Sequence, residues 1–360
     1  MLRARSWLAE AAALGVIALA AGLLAWGGGR SAPTVPDDPA VASDYMRARD
    51  LWGHRQARDL TEAIRLYEGV IRRQPGFAPA HAGLAEAWLV LREYGGADDA
   101  TAYPRADRAA RRAMQLDPDI PGPHRAAGFI AYWWRNDAVT SLAEFRRAVQ
   151  LDDKDAQSHF WYANVLADVG LDARAQAEYD RARLLQPGSQ PIAVEQACSH
   201  WQAGRDAQAL RDLTDLAGRY PADATIHNCL AWLHASHGDL AAFAAEYRRT
   251  AELRAEPLLL AAAARLDAGV ARDPATAHRV VVAYLERELA DHSRLAHDVP
   301  AFYASAFGDR PALLRLLSAA RRNRERWYSR AITWRIARRW RGDGEVLAAL
   351  RTVAQPVPTP

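Results

Sequence analysis

Cysteine is almost missing from this chain: Cys198 and Cys229 are the two such residues among 360. That excludes a disulfide-dense scaffold, and no Cys-x-x-Cys pair points to zinc or thiol exchange. β-Branched residues are scarce as well, leaving a helix-forming composition dominated by Ala and Arg. Net charge is only +3, so the chain is no polyelectrolyte. The usual marks of catalysis are also lacking. There is no glycine-rich phosphate loop, no Gly-x-Ser-x-Gly, no zinc-protease helix and no paired acid motif. The expectation is a non-enzymatic protein with no cofactor and no bound metal.

What is present begins with 50% hydrophobic residues and twelve tryptophans. Arg3 and Arg5 precede an apolar run from Trp7 to Trp26, broken by Glu10 and followed by Gly27, Gly28, Gly29 and Arg30. A run of that length reaches roughly 30 Å as a helix, about the hydrocarbon thickness of a bilayer. The basic flank orients such a span with its N-terminus in the cytoplasm. The expectation is an uncleaved single-pass inner-membrane anchor over 1–29, with the remainder in the periplasm. A cleaved signal ending near Ser31-Ala32 and a buried soluble helix are the alternatives. Residues 30–43, with Pro33, Pro36 and Pro39, read as a linker.

The organising feature is a spacing. Asp153, Pro187, Pro221 and Ala255 stand 34 residues apart, each closing a helical segment. Ahead of Pro187 run Ala175, Tyr179 and Ala182; Phe145 and Ala148 precede Asp153; Phe243, Tyr247 and Thr250 precede Ala255. A fixed period of this length built on two helices predicts stacked helical hairpins, each burying its apolar face against its neighbours. Ala163 and Ala197 are small so that paired helices approach closely, and Gly170, Gly204 and Gly238 end the first helix of three hairpins. Six hairpins are expected over 44–255. The second carries an enlarged loop from Gly95 to Pro104, and the third, 119–153, is one residue longer than the period. Beyond 256 the period blurs, and Leu258–Ala271, Ala275–Leu289, Pro300–Phe307, Pro311–Arg324, Trp327–Trp340 and Glu345–Ala354 read as degenerate hairpins and a cap.

These residues resemble the tetratricopeptide repeat family over about residues 44–255. The resemblance implies an all-α, right-handed superhelical solenoid whose first helices line a concave groove for a protein or peptide partner. More narrowly, Ala63-Ile64-Arg65-Leu66-Tyr67-Glu68, Phe77 to Ala85 and Glu144 to Ala148 resemble arrays that follow a single membrane span in bacterial winged-helix regulators. Only six residues precede the apolar run here, so this reading places no DNA-binding domain on the chain and expects no nucleic acid.

Mapped by the repeat, the groove residues are Trp52, Phe129, Trp133, Phe160, Trp161, Asn164, Trp201, Asn228 and Trp232. They read either as stacking and amide groups for a peptide or as packing between hairpins. Cys198 and Cys229 fall on adjacent first helices, where two buried thiols are expected in preference to a marginal cross-repeat disulfide. His234 and His237 have a metal-compatible spacing but read as core or edge residues. From Arg315 to Arg341 stand ten arginines and one acidic residue, Glu325, interleaved with Trp327, Tyr328, Trp334 and Trp340. That stretch reads as a solvated arginine face, or else as a patch for a membrane or an acidic partner. The whole points to a membrane-anchored scaffold for protein–protein interaction in a bacterial envelope. The sensory half of a split transmembrane signalling system is the alternative, and an active site hidden by loop 95–104 and the degenerate C-terminal part is the third.

Overall fold

The computed structural model describes residues 35–291 and 296–357. Among these residues the regular structure is helical, and an isolated bridge pairs Trp327 with Ala354. Helices α1 (Pro39–Gly53) and α2 (Ala57–Arg73) form the first hairpin, and α3 (Ala78–Glu93) and α4 (Asp99–Leu116) the second. The third joins α5 (Pro121–Phe129), prolonged by a π-helical turn Ile130–Trp134, to α6 (Ala138–Leu151). Next come α7 (Ala156–Asp168) with α8 (Asp172–Leu185), α9 (Gln190–Gln202) with α10 (Asp206–Arg219), and α11 (Ala224–Ser236) with α12 (Leu240–Arg254). The seventh pairs α13 (Pro257–Arg272) with the short α14 (Pro274–Ala277) and α15 (Arg279–Asp291). The last two are α16 (Asp298–Ala306) with α17 (Arg310–Arg322), and α18 (Arg330–Arg339) with α19 (Gly344–Arg351).

The period has a local cause at each end of a hairpin. Asp155, Asp223, Asp239 and Asp309 cap helix starts by accepting from backbone N–H groups two or three residues on. At the turns, Gly170, Gly204, Gly238 and Gly308 have φ between 72° and 84°. There the amide after the glycine closes back on the helix, as Leu171 N does on Leu166 O at 2.8 Å. Asn136 fills the same place one period before Gly170, with φ 50°; its short polar side chain tolerates the left-handed region. Between hairpins, Phe145, Tyr179, Leu213 and Tyr247 stand one period apart and are all buried. Ala163, Ala197 and Ala231 are buried opposite them and leave room for that packing.

The extra residue of the third hairpin lies in its first helix. Eight residues separate Gly128 from Asn136, whereas seven separate Ala163 from Gly170. The π-turn Ile130–Trp134 takes up the additional residue. A Cβ on Gly128 would lie 2.9 Å from the Phe145 ring, so this hairpin needs glycine where its neighbours use alanine.

Three expectations change. The second hairpin has no large loop: α4 starts at Asp99 and carries Pro104 inside it. Asp98 caps Thr101 N, and Arg92 pairs with Asp99 at 2.6 Å. These contacts hold the start of a helix that lacks one backbone bond at the proline. In the ninth hairpin Trp327 does not begin a helix, because its N–H donates to Val353 O and its carbonyl accepts from Gln355 N. The inner-membrane placement is corrected as well. Among the described residues no helix is long and apolar enough to cross a membrane. The stretch 1–29, on which the anchor was expected, lies outside the described residues.

The hairpins do not simply stack in sequence. Two hydrophobic clusters run from Val41 to Ile192 and from Val194 to Val353. The eighth and ninth hairpins curl back so that Phe302 on α16 stacks on Trp232 of α11 at 5.2 Å, while Arg335 on α18 reaches Trp201 of α9.

Candidate partner-binding surface

The first helices of successive hairpins pack side by side into one face, and the nine residues expected in the groove all belong to these helices or to the π-turn that prolongs one of them. Phe129 and Phe160 are buried, as are Trp161 and Trp201; Trp52, Trp133, Asn164, Asn228 and Trp232 are half-buried. The structure brings them into two aromatic groups. Phe129 lies 4.2 Å from Trp133 and 5.1 Å from Trp161, and Tyr132 meets Trp133 edge-on at 5.1 Å. Trp201 meets Trp232 edge-on at 5.1 Å, and both contact Phe302. Asn164 is engaged inside its own hairpin, where Oδ1 accepts from the Tyr179 hydroxyl at 2.7 Å. Trp52 stands apart from both groups, with the Arg55 guanidinium 3.8 Å over its ring.

Charged residues that the repeat pattern did not single out share this face. Arg125 on α5 lies between Glu86 on α3 and Asp155, the cap of α7. One cation thereby ties three consecutive hairpins, and both Arg125 and Glu86 are nearly inaccessible to solvent. Burial pushes the Glu86 carboxyl up, and Arg125 offsets part of that rise. Arg55 crosses the face to donate to Gln157 Oε1 at 2.8 Å, linking the first hairpin to the fourth. Farther along, burial together with the Asp223 and Glu93 carboxylates raises Glu195 to about 7. The exposed Tyr94 shares that field.

Cys198 and Cys229 are joined on the same face, with Cα atoms 5.8 Å apart. The expectation of two thiols fails because neighbouring helices present these positions to one another. Their Cα atoms come closer than the helix axes, within the reach of a disulfide.

The arginine-rich stretch is not a uniformly solvated face. Arg335 is almost wholly covered: it donates to Trp201 O at 2.7 Å and to Asp206 Oδ1 at 2.6 Å, and lies over the Trp201 ring. Arg315 instead pairs at the surface with Glu286 at 2.9 Å. His237, from the metal-compatible pair, meets Asp206 at 3.1 Å.

Histidine supplies a repeating clasp. His124, His159 and His227 occupy equivalent places on first helices, and Nδ1 of each meets a glutamate of the same hairpin: Glu144, Glu178 and Glu246. Nε2 of His124 and of His159 also meets the carbonyl six residues upstream, at 3.0 Å. The Glu144 bond holds His124 above its ordinary pKa. At His159 burial opposes the rise, and the bonds to Glu178 and the Asp153 carbonyl outweigh it. The recurrence of His 35 and then 68 residues on, one longer hairpin and then two periods, with Glu 19 or 20 residues after each, was the available signal.

No family model and no curated protein matches this chain. Among solved structures it is similar to PilW, described as a widely conserved type IV pilus biogenesis factor: 17% identity over 62% of this chain and 98% of that one, TM-score 0.46. A tetratricopeptide repeat protein from Parabacteroides merdae is 13% identical over 75% of this chain and 100% of its own, TM-score 0.46. Yeast Tom70 is 13% identical over 89% of this chain and 69% of its own, TM-score 0.45. At these values the likeness is one of helical architecture and says nothing of what this chain binds. The narrower resemblance to winged-helix regulators finds no support among them.

Proposed function

We propose that this chain is a non-enzymatic scaffold whose inner face captures a protein or peptide partner. The observation that supports it most is the half-buried aromatic and amide set on that face: Trp52, Trp133, Asn228 and Trp232. Such groups can stack on and hydrogen-bond an extended or helical segment without refolding of the array.

The test is crosslinking capture, comparing the full chain with a Trp133→Ala/Asn228→Ala variant whose helix content is checked by circular dichroism. Loss of a specific captured protein from the folded variant supports the inner face as the working surface. An unchanged set of captured proteins removes that face from the reading, and the absence of any captured protein from both chains refutes the scaffold.

A further inference from the structure

The eighth and ninth hairpins do more than end the array. Along the turns of the third, fourth and fifth hairpins, Asn136, Gly170 and Gly204 follow one another at the 34-residue period. Segment 326–339 meets them in the same order at four-residue steps. Asn136 Nδ2 donates to Arg326 O at 2.8 Å, and Arg326 Nη2 donates back to Asn136 O at 2.8 Å. A Cβ on Gly170 would fall 2.6 Å from Arg330 Cγ, and one on Gly204 3.5 Å from the Trp334 ring. Glycine at 170 thus serves both the left-handed turn and the approach of Arg330. Arg335 then anchors the segment on Asp206 and the Trp201 carbonyl.

Helix α18 has two working faces. Ala331, Ile332 and Ile336 are buried with the C-terminal hairpins, while Arg330, Trp334 and Arg335 point at the turns. What the turns offer in return is acceptors: the Asp206 carboxylate, the carbonyls of Trp201 and Asn136, and the Asp168 carboxylate, which accepts from Ser329. Paired guanidinium–carboxylate bonds and ring stacking give this contact directional, exchangeable chemistry.

We propose that the rim formed by hairpins three to five is a docking surface for a basic amphipathic helix of a partner protein, carrying arginine and aromatic side chains four residues apart, and that segment 326–339 is its built-in competitor. The proposal rests on the scaffold reading and names the class of partner. An external helix finds the rim free only in the fraction of chains whose own segment has lifted, so its apparent affinity falls by that fraction.

The test uses the full chain and a fluorescent peptide of its own residues 324–341. Arg335→Ala weakens the built-in competitor and leaves the rim intact, so it should bind the peptide at least about tenfold more tightly than the unmodified chain. Adding Asp206→Ala should abolish the gain, as should Arg335→Ala within the peptide. Equal affinity in the unmodified and Arg335→Ala chains overturns the proposal, and so does a gain that survives Asp206→Ala. If Arg335→Ala does not fold, Arg335→Lys keeps the charge while losing the paired bond, and the same two results decide. Hydrogen exchange on the unmodified chain supplies a second reading. Amides of 330–339 should exchange faster than those of α7 and α9, and exchange only together with them overturns it. A failed peptide assay beside intact cellular capture rejects this proposal alone; a peptide that binds where no cellular partner is captured rejects only the scaffold reading.

Discussion

Removing the cross-repeat disulfide gives the sharpest stability test. The bond between Cys198 and Cys229 closes a loop of sequence separation 31 between the first helices of the fifth and sixth hairpins. Chain entropy for a loop of that length amounts to about 12 cal/mol/K, or roughly 3.7 kcal/mol at 25 °C. Cys198 is buried and Cys229 half-buried, so replacing both by alanine adds little cavity cost, and the entropy lost from the unfolded state dominates. The assay is urea unfolding followed by tryptophan fluorescence, with Trp201 and Trp232 beside the bond acting as local reporters. At a slope of about 3 kcal/mol/M, the Cys198→Ala/Cys229→Ala chain should unfold about 1.2 M earlier than the oxidised one. A helical array need not unfold in one step, so the early transition should appear first in the fluorescence of these two tryptophans. Identical midpoints for the oxidised, reduced and double-alanine chains would refute the reasoning, as would two thiols titrating in the unreduced protein.

Two further perturbations probe the inner face. Arg125→Ala strands Glu86 and Asp155 with no cation between them and should destabilise by about 3–5 kcal/mol; Glu86→Gln added to it should recover part of the loss in calorimetry, and an unchanged stability of Arg125→Ala alone would show that the cation is dispensable. His124→Gln/His159→Gln should destabilise the chain at pH 5.5 more than at pH 8.5. Both histidines sit above their ordinary pKa when folded. Their charged clasps therefore stabilise fully below the unfolded value and fade as pH rises through the folded one. A wild-type-minus-variant difference in Tm that is flat with pH would sink this account.

The hairpins were legible because they are local. A small residue facing an aromatic and a residue able to turn left-handed at each hairpin bend are properties of neighbouring residues, and their return every 34 residues shows in a few consecutive repeats. Even the irregular third hairpin announced its extra residue, although a count of residues could not say that a π-turn would absorb it. The disulfide was less legible, since it hangs on how closely two particular helix faces meet. Pairings across the groove were not legible at all. Arg55 with Gln157, Asn136 with Arg326 and Arg335 with Asp206 span sequence separations of 102, 190 and 129. No periodicity encodes them, because they follow from curvature accumulated over many repeats. The sequence by itself therefore determined the repeating unit and which residues fall on its first helices. Tertiary structure alone decided that the array closes on itself and turns an arginine from a seemingly solvated face inward. The difference is physical: short-range packing is fixed within each hairpin, whereas the small rotation between hairpins is summed along the chain before distant faces can meet.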